Sequence, residues 1–161
     1  MKMLLKDYTF YKKYHQNPIN KLIHIWCIPM ITWGTFILLN YFTFFETNSI
    51  ICQPSTLLYT FYISYYLYNE LYYGILASIF YMCILLHANI FFLNIDNACV
   101  YAIMATIIGW VLQILSHKYI EKNQPALIDG FKQSVLTAPL FIIIELSESF
   151  HKGEKFHLNI L

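Results

Sequence analysis

The chain has 161 residues and a net charge of +1; 58% of its residues are hydrophobic and only 12% are charged. All ten basic residues are lysines, none lies between residues 21 and 118, and the formal charges within that segment are Glu46, Glu70 and Asp96. A soluble globular chain carries about 25% charged residues, so this composition predicts a multi-pass membrane protein and excludes a basic nucleic-acid-binding domain.

Hydropathy divides the chain into four long apolar runs. Asn17-Pro18 precedes the first and predicts a helix start, with asparagine as the N-cap and proline in the first turn. Each run has 19 to 23 residues, close to the roughly 20 that a transmembrane helix needs. The runs cover residues 23–45, 50–68, 71–93 and 98–116. Short polar turns, among them 46–49 and 94–97, separate them.

A shorter apolar stretch, residues 135–146, follows the fourth run. Its 12 residues are too few to cross a bilayer, so we expect an interfacial or packed helix. Five lysines precede the first run and five follow the fourth, which places both ends of the chain on the cytoplasmic side by the positive-inside rule. The expected fold is all-α: one membrane domain, residues 1–161, with about four transmembrane helices.

Tyrosines crowd the turn between the second and third runs. Because the tyrosine ring is apolar and its hydroxyl seeks water, we expect these residues at the membrane–water interface. An aromatic cage around a ligand is the alternative. The residues are Tyr59, Tyr62, Tyr65, Tyr66, Tyr68, Tyr72 and Tyr73.

Three histidines fall near one predicted face of the membrane: His15, His24 and His117. The second begins the first run and the third ends the fourth, so two antiparallel helices would place both at one depth. Asn17-Pro18 would break the helix and let His15 fold back towards His24, and Asn20, four residues before His24, could orient it. Neutral imidazole binds Fe, Zn or Cu. The pattern predicts a shared metal site; the alternative is that each histidine is an interface residue.

His87, in the middle of the third run, is predicted to be a buried, hydrogen-bonding histidine, with metal ligation as the alternative. The four cysteines of the chain form no CxxC pair and are expected to be small buried hydrophobic residues.

A polar stripe marks one face of the fourth run. Trp110, Gln113, His117 and Glu121 follow i, i+3, i+7 and i+11 spacing, and such a stripe normally faces the protein interior. Glu121 is the nearest carboxylate to the histidines, either as a ligand or as a residue that orients one. Glu145 is the other candidate, and its apolar surroundings require a partner or protonation.

Three segments of the chain carry a family resemblance. They are YKKYHQNPINKLIH (11–24), GWVLQILSHKYIEKNQPALIDG (109–130) and APLFIIIEL (138–146). Together they resemble the 2-hydroxy fatty acid dioxygenases of the endoplasmic-reticulum membrane, whose fungal member acts in phytosphingosine degradation. The likeness covers both ends of the chain, whereas residues 31–108 match only in hydropathy.

The resemblance implies a non-haem Fe(II) enzyme that uses O₂ to shorten a long-chain 2-hydroxy fatty acid by one carbon. It implies iron binding by the three histidines. The candidate catalytic residues are Gln113, Glu121 and Glu145. The candidate substrate-binding residues are Lys118, Lys122, Trp110 and Asn20.

Two departures from the family pattern stand near the third histidine. Ser116 takes the place of a usual glycine, and Asn123 and Gln124 stand where arginines are usual, which leaves Lys118 and Lys122 as the nearer positive charges for a substrate carboxylate. The altered segment motivates one alternative function, a non-catalytic lipid-binding or assembly protein of the membrane. A bis-histidine haem membrane protein is a separate alternative.

Overall fold

The computed structural model describes residues 2–42, 53–122 and 133–158 of the chain. This part of the chain is helical, with no strand in it. The predicted turn at 46–49 and the segment 123–132, which includes Asn123 and Gln124, lie outside the described residues. The helices are α1 (Lys2–Tyr14), α2 (Pro18–Asn40), α3 (Pro54–Asn69), α4 (Leu71–Asn94), α5 (Ala98–Ser116) and α6 (Ala138–Leu158).

Two π-helical turns extend these helices. His117–Glu121 continues α5, and Gln133–Thr137 leads into α6. The helix start predicted at Asn17-Pro18 is confirmed, because the Asn17 side chain accepts a hydrogen bond from the Ile19 N–H at 2.9 Å. Since α1 ends at Tyr14, residues 15–17 form a bend between two helices.

Three described helices are long and apolar enough to cross a membrane: Pro18–Asn40, Leu71–Asn94 and Ala98–Glu121. The second predicted span appears as α3, whose 16 residues extend about 24 Å, less than the roughly 30 Å of a hydrocarbon core. The predicted helix at 135–146 lies within α6 and its preceding turn. Residues 140–144 are buried there, so this segment is a packed helix.

Helix α2 packs most closely against α5. A Cβ added at Gly34 would lie 2.7 Å from the backbone oxygen of Ala102, and one added at Gly109 would lie 2.6 Å from Cγ1 of Ile31. Small residues let membrane helices approach in this way. At the far end of the same pair, the Cys99 N–H donates to the Tyr41 hydroxyl at 3.1 Å, so α5 runs antiparallel to α2.

A buried polar cluster joins the ends of three helices at that same end. Asn40 Nδ2 donates to Asn89 Oδ1 at 2.7 Å, and Ser55 Oγ donates to the same oxygen at 2.9 Å. The three side chains are at most 1% exposed. Because buried polar groups in a membrane need internal partners, this cluster fixes how α2, α3 and α4 meet.

Two of the tyrosines predicted to lie at the membrane–water interface are buried inside the bundle. Tyr66 is 1% exposed, and Tyr59 is also buried, because their faces of α3 point into the bundle. The hydroxyls of Tyr62 and Tyr66 donate to the carbonyls of Val135 and Leu136 at 3.2 and 2.9 Å. Pro139 lacks an N–H, so the carbonyl of Val135 has no regular α-helical donor. These tyrosines therefore connect α3 to the start of α6.

Candidate metal centre and apolar cavity

His15, His24 and His117 come together at the start of α2 and the end of α5. Their ring centroids are 4.6 to 4.9 Å apart, and their planes meet at 78 to 84°. Each side chain is at most 4% exposed. Their candidate ligand nitrogens lie within 4.8 Å of one another. The structure thus groups the three histidines that spacing and the family resemblance singled out.

Backbone carbonyls orient two of the rings. His15 Nδ1 donates to the Tyr11 carbonyl and His24 Nδ1 to the Asn20 carbonyl, both at 2.9 Å. Since a carbonyl only accepts, the proton lies on Nδ1 and each Nε2 keeps a free lone pair. This is the usual arrangement of a metal-binding histidine.

The third ring has a buried nitrogen without a partner. His117 Nδ1 neither accepts nor donates a hydrogen bond in the described structure, and buried polar atoms seldom lack a partner.

Burial, with the neighbouring His24, lowers the pKa of His15 to about 2, so the His15 ring is a neutral imidazole at physiological pH. Three buried imidazoles, two with an oriented Nε2 and one with an unpartnered Nδ1, fit a metal ion such as Fe, Zn or Cu.

Glu121 holds the bend that carries His15. Its Oε1 accepts from the Gln16 N–H at 2.8 Å, and its Oε2 accepts from the Asn17 N–H at 3.1 Å and from Asn20 Nδ2 at 3.0 Å. The carboxylate also lies at the N-terminus of α2, where the helix dipole favours negative charge. Of the two roles considered for Glu121, the geometry favours positioning over ligation.

Both polar atoms of the Asn20 side chain form hydrogen bonds within the protein. Its Nδ2 binds Glu121 and its Oδ1 accepts from Ser116 Oγ at 2.6 Å. Its backbone carbonyl, rather than its side chain, holds His24. Ser116, the departure from the family glycine, therefore adds a hydrogen bond between α5 and α2.

The remaining charged candidates are Glu145, Lys118 and Lys122, and none of them belongs to the three-histidine group. Glu145 pairs with Lys21, whose Nζ is 2.9 and 3.1 Å from its two oxygens. The sequence predicted that Glu145, in apolar surroundings, needs a partner or protonation. Lys21 is that partner. Lys118 and Lys122 are exposed, and neither lines the cavity described below.

His87 stands apart from the three-histidine group. Its Nδ1 accepts from Trp33 Nε1 at 2.8 Å, so the predicted hydrogen bond is present. The side chain is exposed on α4, however, so the prediction of burial is wrong. The cysteine prediction is also only partly right, because Cys27 is buried but Cys83 is exposed.

An apolar cavity of about 600 Å³ opens from the three histidines into the bundle. Trp110 and Gln113 line it beside His117. The Gln113 side chain is 8% exposed, and its Nε2 has no hydrogen-bond partner within the described part of the chain. An amide donor is thus buried, unpartnered, and placed between the histidines and an apolar space.

One wall of this cavity includes three tyrosines for which an aromatic cage was the alternative prediction. Tyr59, Tyr62, Ile63 and Tyr66 line it from α3. Their i, i+3, i+4, i+7 spacing is the pattern of one inward helix face. This spacing is readable in the sequence and favours the aromatic-cage alternative for these three tyrosines.

Fold and site together define an all-helical, membrane-compatible protein with a buried three-histidine group at the end of an apolar cavity. The chain belongs to the family described as "2-hydroxy-palmitic acid dioxygenase Mpo1-like", whose model matches residues 1–150. The 2-hydroxy-palmitic acid dioxygenase MPO1 of Saccharomyces cerevisiae is 33% identical over 136 residues, which cover 84% of this chain and 75% of the yeast protein. No solved structure matches the chain. The family resemblance seen in the three segments is confirmed.

Proposed function

We propose that this protein is a membrane-embedded, Fe(II)-dependent dioxygenase that shortens long-chain 2-hydroxy fatty acids by one carbon. The observation that carries the proposal is the buried group of His15, His24 and His117 at the end of an apolar cavity. A metal-binding group beside an apolar space suits a substrate with a polar head and an alkyl tail. The name of the yeast relative, 2-hydroxy-palmitic acid dioxygenase, supports a dioxygenase that acts on a 2-hydroxy fatty acid.

The donor set supports a bare metal ion in preference to haem. A bis-histidine haem needs a flat macrocycle between two rings, whereas here each ring centroid lies within 4.9 Å of both others. Three histidines, with no fourth ligand grouped with them among the described residues, suit an Fe(II) ion, which would supply the redox chemistry with O₂.

The protein's own residues would bind and orient the substrate. The carboxylate and 2-hydroxyl would lie beside the histidines, where Gln113 Nε2 offers an unpaired donor and Trp110 covers the head group. The alkyl tail would lie along the apolar wall, where each buried CH₂ contributes about 0.8 kcal/mol. The apolar wall therefore excludes water and supplies most of the affinity.

The membrane arrangement is part of the proposal. We place four spans in the endoplasmic-reticulum membrane, with α3 as the short one and both ends cytoplasmic. The division of the lysines between the two ends supports this orientation. The histidines would then lie at the cytoplasmic side of the bundle, with membrane lipid around the helices.

The direct test uses the purified protein in detergent. We expect iron to be retained at about one ion per chain, and a 2-hydroxy fatty acid to yield a fatty acid one carbon shorter only when Fe(II) and O₂ are both supplied. Binding of fatty acid without stoichiometric metal or turnover would contradict the proposal in favour of a lipid-binding protein. A Soret absorption band would contradict it in favour of a haem protein.

Gln113 offers a second test. Replacing it with leucine removes the unpaired donor but leaves an apolar side chain of similar size. We expect kcat/KM to fall about 10- to 100-fold, since a hydrogen bond to a charged group contributes about 1.5–3 kcal/mol. Metal content should stay at the wild-type level, because no described hydrogen bond joins the Gln113 amide to a histidine. Unchanged kcat/KM would remove Gln113 from the substrate site.

A further inference from the structure

We infer that the end of the cavity farthest from the histidines is a chain-length stop formed by Phe36, which sets the longest alkyl chain that the protein accepts. The inference rests on the proposed function for the chemistry of the head group. The stop itself is a property of the cavity and can be tested with unreactive fatty acids.

The length of the cavity follows from helix α2, which lines it from His24 to Phe36. Twelve residues of α-helix rise about 18 Å. Because a carbon–carbon bond is about 1.5 Å long, an extended chain of at least about twelve carbons fits between the two residues. The cavity thus matches a long-chain fatty acid with its head group at the histidines.

Buried aromatic side chains close the far end. Phe36 is 3% exposed, and Tyr59 on α3 is 9% exposed. The Tyr59 hydroxyl donates to the Ser78 carbonyl on α4 at 3.0 Å, which fixes its ring between the helices. A chain end that reaches Phe36 therefore meets packed side chains that are held in place.

The polar cluster of Asn40, Ser55 and Asn89 lies behind this end. Asn40 follows Phe36 by one helical turn on α2, and the buried cluster is joined by the hydrogen bonds that Asn40 and Ser55 donate to Asn89 Oδ1. A methyl end that advanced past Phe36 would separate polar groups that have no water to replace their bonds. Beyond the space that the Phe36 ring itself fills, the cavity consequently cannot lengthen in this direction without breaking the junction of α2, α3 and α4.

The test measures chain-length dependence directly. Saturated fatty acids of increasing length displace a fluorescent fatty acid from the protein in detergent, and 2-hydroxy acids of the same lengths are assayed for turnover. In the wild type, affinity should rise about fourfold for each added CH₂ until the chain reaches Phe36, and then stop rising. Phe36→Ala should move that limit about three carbons longer, because the lost ring spans about three carbon–carbon bonds.

Two further variants keep the test decisive. Thr35→Phe adds a ring to the same end of the cavity and should move the limit to shorter chains. Phe36→Leu, a milder change if the alanine variant does not fold, should give an intermediate shift. The matched control is Phe61→Ala, the same truncation at a side chain that is 60% exposed on α3, which should leave the limit unchanged.

The outcomes separate this inference from the proposed function. If Phe36→Ala or Phe36→Leu keeps the wild-type limit, or if Thr35→Phe does not shorten it, the stop is overturned. If the wild type shows a chain-length limit in binding and the variants move it, the stop is supported, whether or not a shortened product forms. A missing product would overturn only the proposed reaction.

Discussion

Replacing His24 or His117 with alanine is expected to abolish stoichiometric metal binding and, with it, turnover. The candidate ligand nitrogens of the three histidines lie within 4.8 Å of one another, so each alanine variant removes one of three imidazoles from a common point. Loss of a residue that only orients a ligand typically lowers metal affinity 10- to 100-fold. Loss of a ligand itself should lower it by at least about 100-fold.

The measurement is metal content after purification, together with the rate of product formation. His87→Ala is the matched control, because His87 belongs to the same residue type but is exposed and hydrogen-bonded to Trp33. That variant should keep its metal and its activity. A His24→Ala or His117→Ala protein with full metal content and full turnover would show that the three-histidine group is not the metal site.

Replacing Glu121 with alanine is expected to lower metal affinity about 10- to 100-fold while the protein still folds. The carboxylate accepts hydrogen bonds from Gln16, Asn17 and Asn20, and its removal leaves these donors unpaired and frees the bend that carries His15. Because the site is partly exposed, we expect a loss of about 1–3 kcal/mol in the free energy of unfolding. Glu121 is thus expected to act as a positioning residue.

Amide hydrogen exchange separates this role from a general loss of stability. In Glu121→Ala, the N–H groups of residues 16 and 17 should exchange faster, while those of α4 stay protected. Glu148→Ala is the control, since Glu148 forms a partly exposed ion pair with Lys12 at 3.5 Å, and such pairs contribute about 0–1 kcal/mol. Wild-type metal affinity in Glu121→Ala would contradict the positioning role.

Several features were predictable because they depend on residue type and local spacing. The near absence of charge between residues 21 and 118 indicated membrane helices, because placing a charged side chain inside a bilayer costs free energy. Asn17-Pro18 indicated the start of α2, because capping and the missing proline N–H are local effects. The histidines were recognisable as candidates from their types, their expected depth and the family segments.

The tertiary structure decided what local patterns leave open. Glu121 was equally compatible with ligation and positioning, and only the approach of residues 16, 17 and 20, about a hundred positions away in the chain, distinguishes the two. Tyr66 was assigned to the interface by its chemistry, yet packing of α3 against the start of α6 buries it and pairs its hydroxyl with Leu136.

The sequence by itself determined the class of protein, the start of α2, the bounds of α4 and α5 to within one residue, and the histidines that are candidates for binding a metal. Those properties follow from hydropathy, capping and side-chain chemistry, which act within a few residues. Only the tertiary structure decided that Glu121 holds the His15 bend, that Gln113 is left with a free donor, and that Phe36 lines the same cavity as the histidines. Each of these depends on which surfaces of distant helices meet, and that is fixed by close contacts such as Gly34 against Ala102.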